Sequence, residues 1–200
     1  MQPDSFGLIS RTAAIAAGYS NTDLQRLCLR GELQRLVPGH YARRGFYDSL
    51  DARQKHRLLT VATLRANSED AIASHISAAV VHGLDLWNTD LGRVHLTVPG
   101  GHGRTTRRLH VHTGAVPAGS VMIVDGVPVT TLARTLSDCA RILDLDHAVV
   151  IGDSGLRSKK VSADQLRAAV ECSARSAGVG AARRAVAAMN GLSESPGGSR

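Results

Sequence analysis

Asn21, Thr22, Gln25 and Arg26 are side chains of the kinds that read base edges in DNA. Asn and Gln pair bidentately with adenine, Arg with guanine, and a Thr methyl packs on the thymine methyl. Their spacing of i, i+1, i+4 and i+5 puts all four on one side of a helix, whose other side carries Leu24, Leu27 and Cys28. Arg30, Arg35, Arg43 and Arg44 follow closely and suit phosphate contacts. Residues 19–44, "YSNTDLQRLCLRGELQRLVPGHYARR", hold five arginines against Asp23 and Glu32, a net charge of +3. Such contacts make affinity salt-dependent. The plainer reading of the same residues is a solvated helical hairpin.

Other constellations are weaker. Arg104, Arg107 and Arg108 form a second basic patch in "GGHGRTTRRLHVH" (100–112), with no acid between Asp90 and Asp125. They suit DNA backbone, an acidic protein surface, or water. His110 and His112 lie two apart and invite a metal. No Cys stands nearby and no third ligand has a telling spacing, so no metal site is expected. His75 and His82, seven apart, read as packing or capping residues of one helix. Thr135, Ser137 and Asp138 have no His near them in sequence, and Asp138 with Arg134 or Arg141 reads as helix-surface pairing. No catalytic residue, no cofactor and no enzyme activity are expected.

The elements that must hold these residues have local signatures. "LISRTAAIAA" (8–17) reads as a helix capped by Ser10 and ended by Gly18. Ser20 or Asn21 caps the next helix, Asp23 sits in its first turn, and Gly31 closes it. "ELQRLV" and "HYARRG" flank Pro38-Gly39 as a hairpin, followed by a connection near 45–50. A helix is predicted over 49–66, a short extended piece at 71–74, and a buried helix ending at Gly83. Alternation predicts strands at 93–99 and 108–114, with a flexible loop between them. Asp125-Gly126 centres a hairpin over 121–131. A helix from Thr130 or Thr131 carries Leu132, Leu136, Cys139 and Ala140. Helices at 144–156, 162–173 and 178–190 follow, the middle one opened by a Ser162/Gln165 capping box.

The chain of 200 residues is 43% hydrophobic and only 3% aromatic, so its core must be aliphatic. A charge of +7 and a pI near 10.0 favour a polyanionic partner. Cys28, Cys139 and Cys172 are far apart and read as reduced thiols. No signal pattern and no run of eighteen apolar residues occurs, so a cytoplasmic protein without membrane contact is expected.

The expected fold is α+β, with an N-terminal winged helix-turn-helix followed by a mixed α/β domain ending in helices. The expected boundaries are 1–46 for the winged helix, 47–192 for the mixed domain, and 193–200 for a disordered tail. The pattern "LISRTAAIAAGYSNTDLQRLCLRGELQRLVPGHYAR" resembles the winged helix of the AbiEi-type antitoxin family. The likeness continues through "AIASHISAAVVHGL", "VHLTVP", "VDGVPVTTLARTLSDCAR" and "SESPGGSR". It implies a DNA-binding antitoxin that represses its own operon, binding its own promoter, and counteracts a nucleotidyltransferase-like toxin. The second domain is expected to provide the toxin contacts or those of a homodimer. Two departures stand out. Family members carry a helix ahead of the first block, where this chain has only "MQPDSFG", so the first helix is expected to be truncated. Longer relatives continue from Ser-Glu-Ser-Pro-Gly-Glu into a Vsr-like nuclease module, where this chain has Gly198, so no nuclease is expected. The alternative is a winged-helix transcriptional regulator, or a non-catalytic remnant of such a nuclease protein, with no toxin partner.

Overall fold

In the computed structural model, which describes residues 1–189, Ser10 ends a strand and caps a helix. The stretch expected as one helix over 8–17 therefore divides. Leu8 and Ile9 lie buried in β1 (Leu8–Ser10), and α1 (Arg11–Ala16) starts where Ser10 Oγ accepts the Ala13 N–H at 3.0 Å. Gly18, at φ +87°, turns the chain left-handed into the second helix. α2 (Asn21–Leu29) opens with a capping box: Ser20 Oγ accepts the Asp23 N–H and the Asp23 carboxylate accepts the Ser20 N–H. β2 (Leu33–Val37) and β3 (His40–Arg43) pair antiparallel across Pro38-Gly39, with Gly39 at φ +79°. β1 adds to the other side of β3, giving the order β1-β3-β2. Ile9, Ala14, Leu24, Leu33 and Tyr41 form the core beneath. The result is a helix-turn-helix with a wing.

The first unit runs further than the sequence suggested. It spans Met1–Glu69, so the boundary expected at 46 moves past two more helices. α3 (Arg44–Ser49) occupies the expected connection. α4 (Ala52–Arg65) was expected to open the second domain but packs against β2. Its Asp51/Gln54 capping box fixes one end. At the other end Arg65 pairs with Asp4, and its guanidinium lies 5.3 Å from the centre of the Phe6 ring. The described residues ahead of β1 form a turn, where Asp4 Oδ1 accepts the N–H groups of Phe6 and Leu8. Both α3 and α4, which follow the wing in the chain, pack on this sheet.

The second unit, from Asp70 onward, is built on a six-stranded mixed sheet. Its strands are β4 (Ile72–Ala73), β5 (Val94–Thr97), β6 (Arg104–Thr105), β7 (Leu109–His112), β8 (Val121–Val124) and β9 (Val127–Thr130), in the order β6-β7-β5-β4-β9-β8. β6 lies within the stretch expected as a flexible loop; it is two residues paired antiparallel to β7, too short to leave a period. The Asp125-Gly126 turn has φ of +47° and +77°, as a tight hairpin requires. The helices are α5 (His75–His82), α6 (Leu132–Ile142), α7 (Leu145–Arg157), α8 (Ala163–Cys172) and α9 (Val179–Ala188). α6 is central and packs on all four others. Leu136, Ile151, Leu166, Ile76 and Cys139 meet there. Gly155 permits the approach, because a Cβ on it would meet Leu136 Cδ1 at 2.6 Å.

The Asp138 pairing is not a surface feature. Asp138 has no exposed surface; Arg134 Nε reaches its two oxygens at 2.9 Å and Arg141 Nη2 reaches Oδ1 at 2.7 Å. The i±3 and i±4 spacing is the same on either face of a helix, and only packing tells them apart. No described helix is long and apolar enough to cross a membrane. The tail at 193–200 lies outside the described residues.

Candidate nucleic-acid interface

The capping box fixes where α2 begins, and that sets the direction of every side chain on it. Leu24 is buried, and Leu27 and Cys28 pack on the same core. Asn21, Thr22, Gln25 and Arg26 are exposed on the opposite side. The predicted division into an inward and an outward face is thus present. Arg26 faces Asp23 3.9 Å away, a well-solvated pair that holds it weakly, so its guanidinium can reach outward. Hydrogen bonds from the Ser20 hydroxyl and backbone hold the Asp23 carboxyl below the usual carboxylate range. The acid at the helix start therefore stays ionised, serving the cap.

The structure adds one residue to this edge. Arg11 heads α1, its N–H donates to the Gly39 carbonyl at the wing turn (2.7 Å), and its Nε donates to Asn21 Oδ1 (2.8 Å). One residue thus links helix, turn and wing, by its backbone on one side and its guanidinium on the other, and it lines a concavity of about 730 Å³ with Thr12, Tyr19 and Asn21. Ten residues separate Arg11 from Asn21, so no helical period could expose their contact.

The four remaining arginines separate into two kinds. All are exposed. Arg35, on β2, shares a groove of about 380 Å³ with Gln25 and Leu29 of α2. Arg30 caps the end of α2. Arg43 and Arg44 instead stand at the base of the hairpin, away from the Pro38-Gly39 turn. Arg44 is held by both Asp48 oxygens and by Gln34 Oε1, and Arg43 Nη2 points to the Met1 carbonyl at 3.4 Å. The wing tip carries Pro38 and Gly39, with Arg11 brought beside it.

In the second unit, Arg104 lies on β6 and Arg107 and Arg108 in the turn to β7, all exposed. They line one edge of the six-stranded sheet. His75 and His82 part company: His82 Nε2 lies 2.8 Å from the Thr130 carbonyl on β9, a packing role as expected. His75 turns instead toward the histidines of β5 and β7. Burial pushes His75 well below the usual imidazole range, and burial next to other imidazoles takes His112 to about 2, so both rings are neutral.

No family model matches this sequence, and no curated protein matches it. Among solved structures, the chain is similar to the RV2827C protein from Mycobacterium tuberculosis. The two share 13% identity with a TM-score of 0.54, over 92% of this chain and 76% of that one. At that identity the likeness is one of fold: α+β, with a winged helix-turn-helix first and a mixed domain ending in helices.

Proposed function

We propose that this chain is a sequence-specific DNA-binding protein, an antitoxin that represses its own promoter and counteracts a nucleotidyltransferase-like toxin. The observation that supports DNA binding is the exposed edge Asn21, Thr22, Gln25 and Arg26 on α2, flanked by Arg11, Arg30 and Arg35. A helix presenting such side chains at its N-terminal end can enter the major groove, while flanking arginines grip phosphates. The antitoxin part rests on the five sequence blocks and their order. In this reading the protein acts by binding in the cytoplasm, without catalysis, and a homodimer places two α2 helices on a two-fold operator.

The test is a gel-shift titration of the full chain on DNA from its own promoter, with scrambled DNA as competitor. Retention of the promoter band over competitor is the expected result. No preference for the promoter sinks the reading. Co-expression with the adjacent gene separates antitoxin from plain regulator: the antitoxin restores growth that the neighbour arrests, and the regulator leaves growth unchanged.

A further inference from the structure

Four of the nine histidines meet on one face of the second unit's sheet. β5 and β7 are parallel, with His95 opposite His110 and Thr97 opposite His112, so these four side chains project to the same side. His75, at the start of α5, completes the group. One ring nitrogen from each of His75, His95 and His112 lies within 4.8 Å of the others, and His95 Nδ1 is 2.9 Å from His112 Nε2. We propose that His75, His95 and His112 bind one divalent transition-metal ion, with zinc the best match.

Tetrahedral zinc with Zn–N bonds of 2.0–2.1 Å sets its imidazole nitrogens about 3.3 Å apart. The group already brackets that distance. An all-imidazole donor set suits zinc, copper or nickel and disfavours magnesium and calcium. The nearby carboxylate of Asp138 is engaged by Arg134 and Arg141 and supplies no ligand. His75 Nδ1 lies 3.0 Å from Ser74 Oγ, which Thr97 Oγ1 also reaches at 2.9 Å. Donation from Nδ1–H to Ser74 leaves the His75 Nε2 lone pair for a metal, the outer-shell arrangement that orients ligating histidines. His75 also has φ +50°, a left-handed backbone for a residue that begins a helix. Such strain persists where the surroundings impose it and is common at functional sites.

The competing account is a stack of neutral rings. His75 and His112 are 3.6 Å apart at 13°, and His110 and His112 are 3.8 Å apart at 19°. Parallel rings in separate planes cannot aim both lone pairs at one point. Ligation therefore turns His112 about its Cβ–Cγ bond, a soft torsion for histidine. The metal also takes the place of the single proton that must lie between His95 Nδ1 and His112 Nε2, and the ring that donated it carries that proton on its other nitrogen, so both ligands stay neutral. Water or His110 takes the fourth position.

Full-length protein stripped with a chelator and titrated with zinc is expected to bind one equivalent. Its zinc X-ray absorption spectrum should show at least three imidazoles at about 2.0 Å and no sulfur. His112→Ala, a half-buried site, should weaken zinc binding by roughly tenfold or more, whereas His102→Ala, in the exposed loop before β6, should leave it unchanged. A substoichiometric titration, fewer than three imidazoles, a sulfur scatterer, or unchanged affinity in His112→Ala overturns the proposal. The wild-type spectrum decides the matter even where a buried variant such as His75→Ala fails to fold.

Discussion

In the first unit Arg26, Arg30 and Arg35 stand in water, while in the second Arg134 and Arg141 close around Asp138, a carboxylate with no exposed surface. The residue types are the same, and the physics differs. An exposed arginine keeps its hydration and contributes little to folding, so its free energy remains available to a phosphate or a guanine. A buried ion pair has already lost its water, and each member depends on the other. The first unit therefore leaves these charges exposed, where the proposed DNA partner would meet them, and the second uses charge and neutral imidazole inside its own structure.

The largest expected effect lies on the buried side. Asp138→Ala leaves two guanidinium groups facing an empty space, and should lower the stability of the second unit by about 3–5 kcal/mol. Urea unfolding measures this; a loss below about 1 kcal/mol would break the contrast between the units. Next in size is Arg26→Ala, which should cost about 1–3 kcal/mol of operator binding while relaxing base preference at one position. Fluorescence anisotropy reads the affinity, and the melting curve should hardly move, since exposed substitutions stay within about 0.5 kcal/mol. A large stability loss there would place Arg26 in the fold rather than at the interface.

Smaller effects grade the arginines among themselves. Arg30→Ala and Arg35→Ala should each reduce the slope of log K against log salt by about 0.9, because one phosphate fewer is neutralised. Arg44→Ala should change it less, because Asp48 and Gln34 already occupy that guanidinium; equal slopes for all three would show the ion pair to be irrelevant. The smallest effect concerns Asp4. Burial pushes its carboxyl up, but hydrogen bonds from Arg65, Leu8 and Phe6 outweigh that and leave the group below its usual value. Its stabilisation is thus present above the unfolded value of about 4 and is lost as pH falls through the folded value. Asp4→Asn should flatten the acid end of the first unit's stability profile by at most about 1 kcal/mol, after allowance for solvent screening.

Much of the scaffold is legible in the sequence because its signals are short. The Ser20, Asp51 and Ser162 caps, the Gly18 break, and the Asp125-Gly126 turn each act within four residues, and the elements they bound lie where expected to within a few positions. The outward face of α2 follows from period alone. Leu8–Ser10 reads as helix in the sequence because three residues carry no period, and only pairing with β3 makes them a strand. Nothing local marks Arg11 as a neighbour of the exposed α2 edge, because its partners, Asn21 and Gly39, lie ten and twenty-eight residues away along the chain.

The sequence by itself determined the elements, the basic character of residues 19–44, and the side of α2 that faces water. All of these depend on neighbours within one or two turns. Only the tertiary structure decided that α4 belongs with the wing, that Asp138 is buried, and that His75 and His95 join His112. Those outcomes depend on which faces pack and which strands pair across long stretches of chain. Residue type and spacing leave that choice open, because the same i, i+4 pair or alternating strand serves water and core equally well.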